Sequence, residues 1–152
     1  MSKLRVFLKY WLMIILWFAL IFLASSDAKS AGRSSRIIEP IVLWLFPQAS
    51  PKTLEEVVLG VRKCAHLTEY AVLALLFWRA FRKPDRNDTR PWSWRLAGAA
   101  LLGVMFYAAT DEVHQLFVPG RFGTLPDVLI DMTGGALGLL ALWTWGRWRK
   151  RW

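Results

Sequence analysis

Four long apolar runs, each closed at one end by charged or aromatic residues, constrain this 152-residue chain more than any other feature. They occupy residues 6–24, 65–81, 94–118 and 125–145. A helix of roughly 20 apolar residues spans the ~30 Å hydrocarbon core of a bilayer, so each run is close to one crossing. Hydrophobic residues make up 55% of the chain and ten residues are Trp, more than one buried core in a chain of this size uses. The surplus must face an apolar medium. The fold class expected is therefore all-α, an integral membrane bundle of about four transmembrane helices, with residues 1–152 forming one membrane domain.

A net charge of +9 would suit nucleic acid if it formed one basic face. Instead the basic residues sit at the ends of the apolar runs, which is the pattern of membrane topology, and no nucleic-acid partner is expected. The first run has Lys9 near its start, within snorkelling reach of the headgroups. A basic start followed by apolar residues and Ala24-Ser25-Ser26 also describes a secretory signal, but the run exceeds a usual signal core and reads as a retained anchor.

With both termini in the cytoplasm, 13 of the 20 Lys and Arg residues fall inside, in the N-terminal segment, the loop around residues 82–95 and the tail after residue 145. The expected location is the cytoplasmic (inner) membrane, multi-pass, with both termini cytoplasmic. The basic residues Arg147, Arg149, Lys150 and Arg151, with Trp143, Trp145 and Trp148, read as an anchor on anionic lipid.

Among the connections, residues 82–91 form a polar loop and residues 119–124 a tight turn with Gly120 and Gly123. In the longest, Ile37, Ile38, Ile41, Val42, Leu45 and Phe46 repeat at helical spacing around Pro40. This predicts a short extracytoplasmic amphipathic helix between the first and second spans. Thr53 and Glu56 offer a capping box after Pro51, so the second span can begin as a surface helix. Cys64, the only cysteine, excludes an intrachain disulfide and reads as a small packing residue.

In this topology the second span enters from outside, the third arrives there and the fourth leaves from there. His66, Glu69, Asp111, Glu112, His114, Gln115, Arg121, Asp127 and Asp131 then share one depth near the outer face. Ionisable residues within spans are costly and face a protein interior, a cavity or each other, which makes this set a candidate site. His66 and Glu69 are three apart, Asp111 shares a face with His114 and Gln115, and Asp127 and Asp131 are four apart. Glu112 is one residue off the Asp111 face, suited to packing toward the first span, to serving the loop, or to solvation. Gly134 and Gly138 have the GxxxG spacing that permits close helix approach.

The order Lys63-Cys64-Ala65-His66-Leu67-Thr68-Glu69-Tyr70, then Asp111-Glu112-Val113-His114-Gln115, Pro119-Gly120-Arg121 and Asp127-Val128 resembles the VanZ-like family of small membrane proteins, over roughly residues 61–140. The resemblance implies a multispanning envelope protein, and the family's name derives from a member linked to reduced susceptibility to the glycopeptide teicoplanin. At the position of Asp131 the family more often has Asn. No family signal covers the first 60 residues.

Three readings of the site follow. An enzyme acting on an amphipathic envelope molecule would use Glu69 or Asp111 as general base, His66 or His114 as acid partner, and Arg121 to hold a phosphate or carboxylate. Glu112 and Asp127 complete the catalytic candidates, while Tyr70, Gln115, Arg121 and Asp131 are candidates for substrate contact. Tyr70 reads first as an interfacial aromatic and Gln115 as a cross-helix hydrogen bonder. His66, Glu69, Asp111, His114 and Asp127 also carry donors for a divalent metal, although no motif such as His-Glu-x-x-His defines one. The second reading is binding or transport of a cation, a lipid, a lipid-linked envelope precursor or a glycopeptide. The third, plainer reading is a structural ion-pair network that fixes helix registry.

Overall fold

A computed structural model describes residues 3–26, 30–85, 88–119 and 123–152. These residues form six α-helices and no strands: α1 Lys3–Tyr10, α2 Leu12–Ser26, α3 Ser30–Leu45, α4 Pro51–Arg82, α5 Trp94–Gln115 and α6 Leu125–Trp148.

By length and composition, α5 and α6 can each cross a membrane alone, and α1 with α2 pass the same test as one bent pair. The single helix expected over 6–24 is thus two helices meeting at 41°. Backbone hydrogen bonding continues through the bend, from Trp11 N–H to Phe7 and from Ile15 N–H to Trp11. The bend folds α1 across the end of α4: Trp11 meets Phe81 edge-on, and the buried Tyr10 donates its hydroxyl to the Pro84 carbonyl at 3.0 Å. Tertiary contact, which sequence periodicity does not encode, decides the direction of this segment.

At 32 residues, and ~1.5 Å per residue, α4 is about 48 Å long and exceeds the expected second span in both directions. Ser50 is its N-cap, accepting from Thr53 N–H at 3.2 Å, with Pro51 at the first helical position. The Thr53–Glu56 box is therefore replaced by a cap one turn earlier, and Glu56 pairs loosely with Lys52 on the exposed surface at 3.9 Å. At its other end Lys83 adopts a left-handed conformation (φ 45°) and donates its N–H to the Arg79 carbonyl before Pro84 stops the helix. Cys64 is exposed on α4 rather than packed.

The amphipathic segment is α3, which begins at Ser30, earlier than its apolar pattern indicated, and accommodates Pro40. It packs on the first half of α4 and leaves Ile37, Ile41, Trp44, Leu45 and Phe46 exposed. Two further boundaries shift: α5 ends at Gln115, three residues short of the expected 118, and α6 continues to Trp148.

The core is formed where α4, α5 and α6 meet, with α2 across α4 and α5. Tyr70, Leu73 and Ala74 of α4 and Ala100, Val104 and Ala108 of α5 are wholly buried. The α4–α6 pair is the most extensive contact, and its glycines explain it. A Cβ on Gly134 would overlap the Leu67 carbonyl oxygen, and one on Gly138 would lie 2.8 Å from the Ala71 carbonyl oxygen. The GxxxG spacing thus lets α6 lie directly on the backbone of α4, as expected.

Candidate functional site

Two carboxylates form the centre of the polar end. Asp111 on α5 and Asp131 on α6 are 3% and 1% exposed, and in each one oxygen, Asp111 Oδ1 and Asp131 Oδ2, makes no hydrogen bond among the described residues. The other oxygen of Asp111, Oδ2, accepts from Ser25 Oγ at 2.7 Å, Gln115 Nε2 at 3.1 Å and the Tyr70 hydroxyl at 3.4 Å. Donors from α2, α4 and α5 thus converge on one atom. Asp131 Oδ1 lies 3.6 Å from His66 Nδ1 of α4, and the Tyr70 hydroxyl also interacts with Asp131.

Local sequence explains this convergence. The glycine ridge of α6 sets it against Leu67 and Ala71, so the α4 residues immediately before these two, His66 and Tyr70, face the α6 residue one turn before Gly134, Asp131. Gly135 turns toward Val104 and Leu101 of α5, holding the third helix of the site close.

Tyr70, expected at an interface, is instead fully buried, because its hydroxyl has a carboxylate to donate to. Among the described residues Gln115 bonds within its own helix, to Asp111 and to Glu112 Oε1 at 3.1 Å, rather than across helices, since residues three and four apart already lie within its reach. Glu112 is only 7% exposed, so it is not solvated. Its Oε2 accepts the Thr124 N–H at 2.8 Å, which is the loop-serving alternative. Gly123 allows this return: a Cβ there would collide with the Glu112 carbonyl oxygen.

His114 points to the end of α2, where Nε2 is 3.0 Å from Ser26 Oγ and the ring is tilted against Phe22 with centroids 4.4 Å apart. Asp127 acts in the cap of α6. Thr124 Oγ1 donates to Asp127 Oδ2 at 2.6 Å and accepts from Asp127 N–H at 3.3 Å. Glu69 is half-buried on α4, and its carbonyl accepts the Trp17 indole N–H at 2.9 Å. Arg121 and Gly120 lie outside the described residues. The structure therefore joins His66, Tyr70, Asp111, Glu112, Gln115 and Asp131 into one network and sets His114 and Asp127 at its margins. Among the described residues no three His, Cys, Asp or Glu side chains group as a metal ion requires.

Two members were not anticipated. Ser25 had the look of a signal-cleavage residue, and the available cue was a hydroxyl at the end of an apolar run at the depth of Asp111. Thr124 had a clearer cue, the Thr-Leu-Pro-Asp order of a capping box with a proline inside the first turn.

At the opposite end, Arg82 is buried and paired with Asp88, its Nε 2.8 Å from Oδ2. It also donates to the carbonyls of Pro91 and Arg90, and Arg90 Nε donates to Asp88 at 2.8 Å. These guanidinium bonds hold the Asp88 carboxyl well below the ordinary carboxylate range. Around Arg82, Trp78, Trp92 and Trp152 stack with centroids 5.3–6.0 Å apart.

A search of curated proteins and one of solved structures give no match. A family model described as VanZ/LLP1 matches residues 10–146, which include both ends of the bundle and every member of the polar network.

Proposed function

The chain belongs to the VanZ/LLP1 family of membrane proteins, and from that premise we propose that its polar end is an extracytoplasmic-facing site that receives the headgroup of a cell-envelope lipid or lipid-linked precursor. The observation that carries this reading is the pair of buried carboxylates in which one oxygen each, Asp111 Oδ1 and Asp131 Oδ2, has no hydrogen-bond partner among the described residues. Leaving a buried acceptor unmatched costs about 1–3 kcal/mol. A network whose whole purpose is registry would close those valences, whereas a site that receives donors from a ligand keeps them open.

Four crossings are part of the proposal: the bent α1–α2 pair, the part of α4 after residue 65, α5 and α6. Both termini are cytoplasmic on the Lys/Arg distribution, which places Asp111 and Asp131 at the depth of outer-leaflet headgroups. Amines and hydroxyls of a headgroup are the donors that match two open carboxylate oxygens. Asp111 then serves as the general base of a hydrolytic or transfer step, oriented by Ser25 and Gln115, and His66 as the group that moves a proton at Asp131. The family's link to teicoplanin susceptibility fits a protein that alters an envelope precursor or its accessibility.

The registry reading also has one observation in its favour, the three donors on Asp111 Oδ2, which tie α2, α4 and α5 together. One comparison separates the two. Asp111→Asn keeps an acceptor for Ser25 and Tyr70 and is expected to keep protein level and melting temperature while abolishing a teicoplanin-susceptibility or envelope phenotype, as is Glu69→Gln. Loss of the phenotype only in proportion to loss of folded protein would return the site to a structural role.

A further inference from the structure

The tryptophan end carries a cavity of about 480 Å³ bounded by Trp78, Arg82, Asp88, Lys150, Arg151 and Trp152, with Asp85 also on its wall. Four observations describe what it suits. First, its side-chain charge is positive: Arg82, Lys150 and Arg151 on the wall outnumber Asp85 and Asp88 by one. The Lys150 and Arg151 side chains form no ion pair or hydrogen bond among the described residues.

Second, a lining residue holds an unused donor, because the Trp78 indole N–H is buried without a partner among the described residues. Third, the backbone is bent to make the wall. Lys150 takes φ 50° in the left-handed turn that ends α6, with its N–H donating to the Arg147 carbonyl and that of Arg151 to the Gly146 carbonyl. That reversal brings Trp152 back along α6, where its indole N–H donates to the Trp143 carbonyl at 3.2 Å, and against Trp78 of α4. Fourth, the wall is rigid and partly apolar, with Trp152 against Trp78 and the Arg82 guanidinium 5.1 Å from the Trp78 ring and 5.5 Å from that of Trp152.

We infer that this cavity is a binding site for the phosphate of an anionic phospholipid, distinct from the acidic site at the other end of the bundle. Lys150 and Arg151 supply charge to the phosphate, Trp78 and Trp152 supply the interfacial faces that hold its glycerol portion, and Leu142 begins the apolar path for an acyl chain. The volume lies within the range of small-ligand pockets and suits one headgroup. The leaflet assigned to it, the cytoplasmic one, rests on the topology proposed above, while the site itself does not.

The test is native mass spectrometry of the full chain released from detergent after exchange into phosphatidylglycerol, phosphatidylcholine or inorganic phosphate. One phosphatidylglycerol per chain is expected to survive release, with phosphatidylcholine lost. The double substitution Lys150→Gln with Arg151→Gln is expected to weaken retention about thirtyfold, from ~1 kcal/mol for each basic residue. Arg147→Gln with Arg149→Gln removes the same charge from residues that pack on Trp143 and Trp145 instead, and is expected to change retention less than about threefold. Equal losses in the two pairs would reduce the effect to diffuse surface charge and overturn the site. Equal retention of phosphatidylcholine, or displacement of the lipid by millimolar phosphate, would overturn the lipid as its ligand.

Discussion

Replacing Ser25 with Ala removes one oxygen atom and, with it, the 2.7 Å hydrogen bond that joins the end of α2 to Asp111. Both residues are 3% exposed, so water does not substitute at either end. Hydrogen bonds to charged groups in folded proteins contribute about 1.5–3 kcal/mol. Those between membrane helices average about 0.6 and reach about 1.7 kcal/mol, because the unfolded state in lipid also finds partners. A short bond, buried at both ends, with a carboxyl acceptor belongs at the top of the second range. The expected loss is therefore about 1.5 kcal/mol, roughly twelvefold in the folding equilibrium. The cavity contribution is small, since only a hydroxyl is deleted.

The measurement is a double-mutant cycle of Ser25→Ala and Asp111→Ala, by reversible unfolding in mixed micelles of increasing dodecyl sulfate. The coupling is expected at about 1–1.5 kcal/mol. Ser26→Ala is the control, because Ser26 meets His114 at 3.0 Å and not Asp111, and its coupling to Asp111→Ala is expected below about 0.5 kcal/mol. A Ser25 coupling no larger than that of Ser26 would refute the claim that α2 is fastened to the buried carboxylate.

Gly138→Ala forces a Cβ to within 2.8 Å of the Ala71 carbonyl oxygen and is expected to destabilise by about 1–2 kcal/mol net, after ~1 kcal/mol of helix propensity is returned. Gly60→Ala, which meets nothing within 4 Å in the same bundle, is expected to stabilise instead, and a melting temperature that moves the same way for both would contradict the packing. Asp88 has its folded pKa depressed below its unfolded value, so its contribution is full above about pH 4 and declines as pH falls further. Asp88→Asn is expected to flatten that acid limb, and an unchanged acid titration of stability would remove Asp88 from the account. Cys64 is exposed and is the sole thiol. A membrane-impermeant maleimide is expected to label it in intact right-side-out vesicles, and labelling only after lysis would invert the topology.

Much of the polar network was legible because ionisable side chains inside apolar runs are conspicuous and helical spacing says which of them share a face. Asp111 with Gln115 and the glycine ridge below Asp131 could be placed this way, whereas His66 was grouped with Glu69 and meets Asp131 instead. Spacing gives a face but not a partner, which is why Gln115 was expected across helices and Tyr70 at an interface. Ser25 was hidden by its ordinariness: a serine after an apolar run reads as a terminus until a carboxylate from another helix reaches it. The bend between Tyr10 and Leu12 contains no helix breaker, and only the position of Pro84 and Phe81 accounts for its direction. Arg82, read as a loop charge, is buried because Trp78 and Trp152, far apart in sequence, close over it.

The length of α4 gives the molecule a mechanical property. Its first half carries α3, its middle presents His66 and Tyr70 to the carboxylates, and its last turn holds Arg82 and Trp78 beneath the aromatic stack. A stiff rod of about 48 Å, pivoting near its midpoint on the glycine ridge, swings each tip by about 2 Å for a tilt of about 5°. The end that carries α3 and the end under the aromatic stack would therefore move as opposite arms of one lever, with the acidic centre at its fulcrum.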